Sequence, residues 1–167
     1  MKNKPAILAV SGVKNSGKTT LIESIIPKVS SKGYKVAVIK HDGHDFECDV
    51  EGTDSYRHRQ SGAYGTCIFS KNKFMIVKEK IDTFEEELMN YFQDADLIIL
   101  EGFKYSDYPK LEIVRKGNSS ESVCKKETLL ALVTDVDIKE RDIKIIDIND
   151  IDSISKLVID NIRRCNL

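Results

Sequence analysis

The run Gly12-Val13-Lys14-Asn15-Ser16-Gly17-Lys18-Thr19-Thr20 constrains this chain more than any other stretch. It satisfies G-x-x-x-x-G-K-[ST] at every specified position. The apolar, strand-like Ala6-Ile7-Leu8-Ala9-Val10 precedes it and a helical pattern follows at once. A polyphosphate needs backbone N–H groups close by, and glycines let the backbone turn and approach without Cβ clashes. A helix opening at Gly17 or Lys18 turns its positive end on the same phosphates. Lys18 is expected to reach the β/γ-phosphates, and the Thr19 hydroxyl to ligate Mg²⁺. Strand, loop and helix together predict a nucleoside triphosphate site.

At 167 residues the chain predicts one P-loop domain over 1–167 with a hairpin insertion at 63–80. A chain of this length buries about 70% of its unfolded surface. Its 41% hydrophobic and 32% charged residues fit a soluble globular protein. The net charge of −1 gives no bulk attraction to nucleic acid or an anionic membrane. No apolar run reaches the ~20 residues of a membrane span. The first strand begins by residue 6, which leaves no room for a leader, so a cytoplasmic location is expected. Cys48, Cys67, Cys124 and Cys165 form no C-x-x-C pair, and reduced thiols are the expectation.

Along the chain, Leu21, Ile22, Ile25, Ile26 and Val29 form one helical stripe. Pro27 predicts a kink or an early helix end, and Gly33 a stop. Lys35 to Lys40 is β-branched and reads as a buried parallel strand. The segment His41 to Asp49 then gathers acids, two histidines and a cysteine where ligands bind in open parallel sheets. Three readings stay open for it. It is a nucleotide and Mg²⁺ loop with a carboxylate such as Asp42 near the metal, a transition-metal site of His41, His44 and Cys48, or a solvated loop.

Thr53 to Gln60 predicts a short helix whose Arg57, His58 and Arg59 face phosphates or water. Two β-rich runs, 63–69 and 74–77, around Ser70 to Lys73 predict a hairpin outside the main sheet, with an edge suited to dimerisation. Thr83 to Glu86 resembles a capping box, with Phe84, Leu88 and Phe92 as the buried face. Asp96-Leu97-Ile98-Ile99-Leu100-Glu101-Gly102 has the shape of a Walker B strand. Glu101 is then either a Mg²⁺-side acid or a strand-end cap. Strands are predicted at Leu111–Arg115, Leu129–Val133 and Lys144–Ile148. Asp135, after the second of these, is a candidate for reading guanine. Ile154, Leu157, Val158 and Ile162 mark a final amphipathic helix. The fold class expected is α/β: a P-loop NTPase three-layer sandwich, mostly parallel, with helices on both faces and a hairpin arm.

The stretches GVKNSGKTTLIESIIP, VAVIKHDGHDFECDVEGTDSYRHRQSGA, DLIILEGFK and PKLEIVR together resemble the molybdopterin-guanine dinucleotide biosynthesis adapter proteins, the MobB family. The likeness runs continuously from about residue 6 to residue 115. Val13-Lys14-Asn15 stands where a common family form has Tyr-Ser-Gly. The resemblance implies a homodimer that binds GTP and Mg²⁺ and hydrolyses GTP weakly. It implies as partners a molybdenum cofactor guanylyltransferase and Mo-molybdopterin as a bound ligand, with neither nucleic acid nor membrane. Carried over by position, Gly12 and Asn15, Ser16, Gly17, Lys18, Thr19 and Thr20 hold phosphates, and Thr19 and Glu101 serve the metal. Lys40 and His41 open a loop toward nucleotide or cofactor. Lys40 and Glu101 are also placed like residues of the more distant dethiobiotin-synthetase group. Two other classes share the core: a nickel-type metal-insertion GTPase, and a small-molecule kinase or ligase. A P-loop kept only for structure is the remaining reading.

Overall fold

The computed structural model describes residues 4–43, 46–138 and 142–165. They fall into two compact units, 1–41 with 85–167, and 42–84.

The larger unit is built on β1 (Ala6–Gly12), β2 (Val36–Lys40), β5 (Leu97–Glu101), β6 (Lys110–Val114), β7 (Leu129–Thr134) and β8 (Ile145–Asp147). They form one six-stranded sheet in the order β2-β5-β1-β6-β7-β8, every pairing parallel. Helices α1 (Lys18–Ser30) and α4 (Ile151–Cys165) cover one face. Leu21, Ile22, Ile25 and Val29 of α1, and Ile154, Val158 and Ile162 of α4, pack there on Leu8, Val10, Ile99 and Ile113. Side chains alternate along a strand, so the intervening residues serve the other face. There α3 (Glu85–Met89) places Met89 with Ala9, Ile39, Ile98 and Leu100. Helices on both faces of a parallel sheet are the expected α/β architecture.

Two local expectations need correction. β2 is an edge strand rather than a buried one: Ile39 is buried but Val38 is 36% exposed. β-Branched residues suit an edge as well as a centre, because the side chains report the faces and not the neighbours. Phe84 and Phe92 do not form the buried face of α3, being 56% and 36% exposed; Met89 is buried instead. That helix ends after five residues in a 3-10 turn at Asn90–Phe92, which rotates Phe92 off the α-helical stripe. Pro27 lies inside α1, which runs on to Ser30 before Gly33.

Over β6 the second face carries charge. Lys110 is fully buried, and its Nζ donates to the carbonyls of Ser106 (2.6 Å) and Phe103 (3.4 Å). Glu112, 1% exposed, accepts from the Ser122 hydroxyl and the Val123 and Cys124 N–H groups. A buried charge is tolerated when hydrogen-bonded, and here the two fasten the loops after β5 and β6 over the sheet.

The smaller unit contains α2 (Asp54–Gln60), capped by Thr53, and a two-stranded antiparallel sheet of β3 (Gly65–Phe69) and β4 (Phe74–Lys78). The hairpin therefore sits inside a compact segment longer than 63–80, and none of that segment's described residues is buried. Glu47 is held by both guanidinium nitrogens of Arg59, at 2.8 and 2.9 Å. That contact, with the N–H groups of Asp49 and Cys48, pulls its carboxyl down to about 2. A depressed carboxylate stabilises the folded form above its ordinary pKa, and the contribution fades as pH falls toward the depressed value. The protection of the Cys48 and Asp49 amides, measured as exchange relative to the intrinsic rate at each pH, should therefore fall between about pH 4.5 and about pH 2. It should not do so in Arg59→Gln.

Among the described residues, no helix is long and apolar enough to cross a membrane.

Candidate functional site

The site lies at the carboxyl edge of the sheet, where the strand order places β1 between β5 and β6. The chain leaves β1 for β2 on one side and later returns to β6 on the other, so loops diverge above β1 and leave a crevice. Val10, Glu101 and Lys40 stand side by side in register across the ends of three strands.

The glycine-rich loop is shaped by left-handed backbone. Gly12 has φ 140°, Asn15 φ 61° and Gly17 φ 96°. A Cβ on Gly12 would lie 2.7 Å from the Ile113 carbonyl oxygen and 2.8 Å from Ser16 Oγ. Only glycine permits both that φ and that approach. The turn buries Ser16 completely, and its hydroxyl oxygen has no hydrogen-bond partner. α1 starts at Lys18, with no acidic residue in its first turn and no side-chain cap. Its N–H groups and positive end face the loop.

Lys18 Nζ donates to the Val13 carbonyl at 2.7 Å and the Gly12 carbonyl at 3.4 Å, so the ammonium lies back along the loop. Burial pushes its pKa down; Glu101 opposes that, while Lys104 and Lys40 reinforce it. Three lysines and one buried acid thus share this corner. Thr19 Oγ1 donates to Glu101 Oε1 at 2.7 Å, joining the start of α1 to the end of β5. Ser11 Oγ donates to the Gly102 carbonyl, and Gly102 N–H to the Val10 carbonyl at 2.9 Å. The residues after Glu101 turn sharply, with Gly102 at φ 106° and Phe103 at φ 50°.

The structure brings Gly12, Asn15, Ser16, Gly17, Lys18, Thr19 and Thr20 into one loop and helix start, with Glu101 against Thr19. Lys40 ends β2 beside Glu101, and the His41 ring meets Phe103 edge-on at 5.8 Å. Asp135 stands after β7, where its Oδ1 accepts from the Lys116 N–H at 2.7 Å. Asp42 is exposed and begins the smaller unit. Cys48 lies in that unit with Arg59 Nη1 at 3.7 Å. His44 lies outside the described residues. Among the described residues, no group of three or more His, Cys, Asp or Glu is gathered to hold a metal ion.

Sequence reasoning missed Lys104, Arg115 and Asn118. Asn118 Nδ2 donates to the Lys14 carbonyl at 3.0 Å, and Arg115 Nη1 lies 3.3 Å from where a Cβ on Gly17 would be. Lys104 stands three residues after Glu101 and Arg115 closes the PKLEIVR run, both in stretches already singled out, whereas Asn118 carried no signal.

These features define an α/β protein of the open parallel-sheet class, with its candidate site beside the first strand. Within that class the chain belongs to the MobB family, whose model, described as "Molybdopterin guanine dinucleotide synthesis protein B", matches residues 7–135. The molybdopterin-guanine dinucleotide biosynthesis adapter protein of Escherichia coli is 31% identical over 169 residues, covering 96% of this chain and 95% of the relative. The Haemophilus influenzae protein of the same name is 30% identical, covering 95% and 90%. The crystal structure of Bacillus subtilis MobB superposes with a TM-score of 0.75 at 27% identity, covering 93% of this chain and 97% of that one.

Proposed function

We propose that the chain is a GTP-binding adapter in molybdopterin guanine dinucleotide biosynthesis, assisting the guanylyltransferase that attaches GMP to the pterin. The observation that carries the nucleotide reading is the corner itself. Lys18, the α1 N-terminus, the buried and unpartnered Ser16 hydroxyl and the Thr19–Glu101 pair all converge on one left-handed loop. Backbone N–H groups and Lys18 would hold the phosphates. Thr19 and Glu101 would hold Mg²⁺, an ion that keeps most of its waters and needs only one or two protein oxygens. Bound there, Mg²⁺ neutralises phosphate charge. Lys40 and Lys104 add positive potential at the same corner.

Glu101 is committed to Thr19 and the His41 ring to Phe103. Neither is set as a base for water, which supports weak hydrolysis. GTP turnover by the isolated protein above about 1 per second, the low end of ordinary enzymes, would contradict the adapter reading. The partner is tested by co-purification. Tagged protein should retain the guanylyltransferase in the presence of Mg²⁺ and GTP, and failure to retain it under any nucleotide condition would count against the assignment.

A homodimer is part of the proposal, and the hairpin supports it. Phe69 pairs with Phe74 and Cys67 with Ile76 across the two strands, so these side chains share one face. Phe69, Phe74 and Ile76 are 80%, 63% and 50% exposed. An isolated two-stranded hairpin is marginal in water, and a second copy of the same ribbon would cover this face. Sedimentation should give a dimer for the wild type. A Phe69→Lys, Ile76→Lys double variant should sediment as a monomer, because charge at an interface centre costs about 2 kcal/mol or more per residue.

A further inference from the structure

Arg115 is not used by the nucleotide reading so far, yet the turn around it is tightly built. It follows β6 directly, and its carbonyl accepts from the Asn118 and Ser119 N–H groups at 3.0 and 2.9 Å. Its own N–H donates to Ser119 Oγ at 3.2 Å. Asp135 holds the next N–H, that of Lys116, and Asn118 reaches the Lys14 carbonyl. The turn is thus pinned to β7 on one side and to the glycine-rich loop on the other.

This arrangement lays the Arg115 guanidinium against Gly17, the residue that caps α1. That is the positive end of a helix with no acid in its first turn, and Lys18 comes next in the chain. Among the described residues, no ion pair or hydrogen bond engages the guanidinium. A cation held at a helix N-terminus is repelled by the dipole, so the placement becomes favourable only with an anion between them. Sheet order supplies a second constraint. Glu101 ends β5 on one flank of β1, and Arg115 follows β6 on the other. The loop therefore has an acid on one flank and a guanidinium fork on the other.

We infer that Arg115 is a phosphate-contacting residue of the triphosphate site, holding the polyphosphate from the flank opposite Glu101. The turn stabilised by Ser119, Asn118 and Asp135 aims it. This rests on the nucleotide reading proposed above. A guanidinium offers two parallel donors to a phosphate, which an ammonium cannot match.

The test is equilibrium titration of the full-length protein with a fluorescent N-methylanthraniloyl GTP. Wild type, Arg115→Ala, Arg115→Lys and Lys18→Ala are compared, each with its urea unfolding midpoint. Arg115→Ala should bind roughly tenfold to a hundredfold more weakly, the loss expected for a charged hydrogen bond. Its midpoint without nucleotide should stay at or above the wild-type value, and Arg115→Lys should recover part of the affinity. Wild-type affinity in Arg115→Ala would overturn the inference while leaving the nucleotide site intact. So would a loss that tracks a fallen midpoint and is not restored by lysine. If the wild type itself does not bind the probe, the nucleotide reading fails first.

Discussion

Replacing Lys18 with alanine is expected to weaken GTP binding by about a hundredfold or more. Removing one partner of a desolvated charge contact costs about 2–5 kcal/mol, and every 1.4 kcal/mol is tenfold. The Lys18 ammonium is partly withdrawn from water and sits among Lys40, Lys104 and Glu101. An anion delivered there meets concentrated positive charge with little screening. The substitution should leave the fold intact. Nζ donates only to two carbonyls of its own loop, at 2.7 and 3.4 Å, and α1 is anchored by Leu21, Ile22, Ile25 and Val29 on its other side. A thermal scan separates the two effects. The unliganded Lys18→Ala protein should melt near the wild type, whereas nucleotide at 100 times the wild-type Kd should stabilise the wild type by about 2.7 kcal/mol and the variant hardly at all.

Gly12→Ala is expected to damage both stability and site. At φ 140° an L-residue is strained, by roughly 1–3 kcal/mol. The new Cβ also lies 2.7 Å from the Ile113 carbonyl oxygen in the adjacent strand. That backbone belongs to β6, packed in the middle of the sheet, and cannot move aside cheaply. Overpacking of this kind adds about 1–3 kcal/mol. A total near 3 kcal/mol corresponds to a fall of roughly 10 °C in Tm for a chain this size. Gly33→Ala is the natural control. Its φ is 88°, but a Cβ there meets nothing within 4 Å, so it should show the strain without the clash. Equal losses at the two positions would mean that the contact between loop and β6 does not constrain the site.

The parts of the molecule legible in the sequence are those set by short-range pattern. The glycine spacing specified the loop, and the 3.6-residue repeat from Leu21 to Val29 specified the buried face of α1. Glu101 was legible because an apolar run ending in an acid says both where a strand stops and what stands there. Strand neighbours were not legible. The run from Val36 to Lys40 reads the same at an edge as in the centre, and only the assembled order shows β2 at the edge. Phe84 and Phe92 misled because helical spacing was extended across a segment that is helical for only five residues. Arg115 and Asn118 reach Gly17 and Lys14 from about a hundred positions away. No local pattern records such a meeting; it exists because β6 lies next to β1.

In the proposed function, the loop from Gly12 to Thr20, with Glu101, holds a nucleoside triphosphate and Mg²⁺. Calorimetric titration of the wild-type protein with GTP, with and without Mg²⁺, tests it most directly. One GTP should bind per chain, more tightly with Mg²⁺, and Glu101→Gln should lose the Mg²⁺-dependent part. No heat of binding at millimolar GTP, or binding unaffected by Mg²⁺ and by Glu101→Gln, would contradict it.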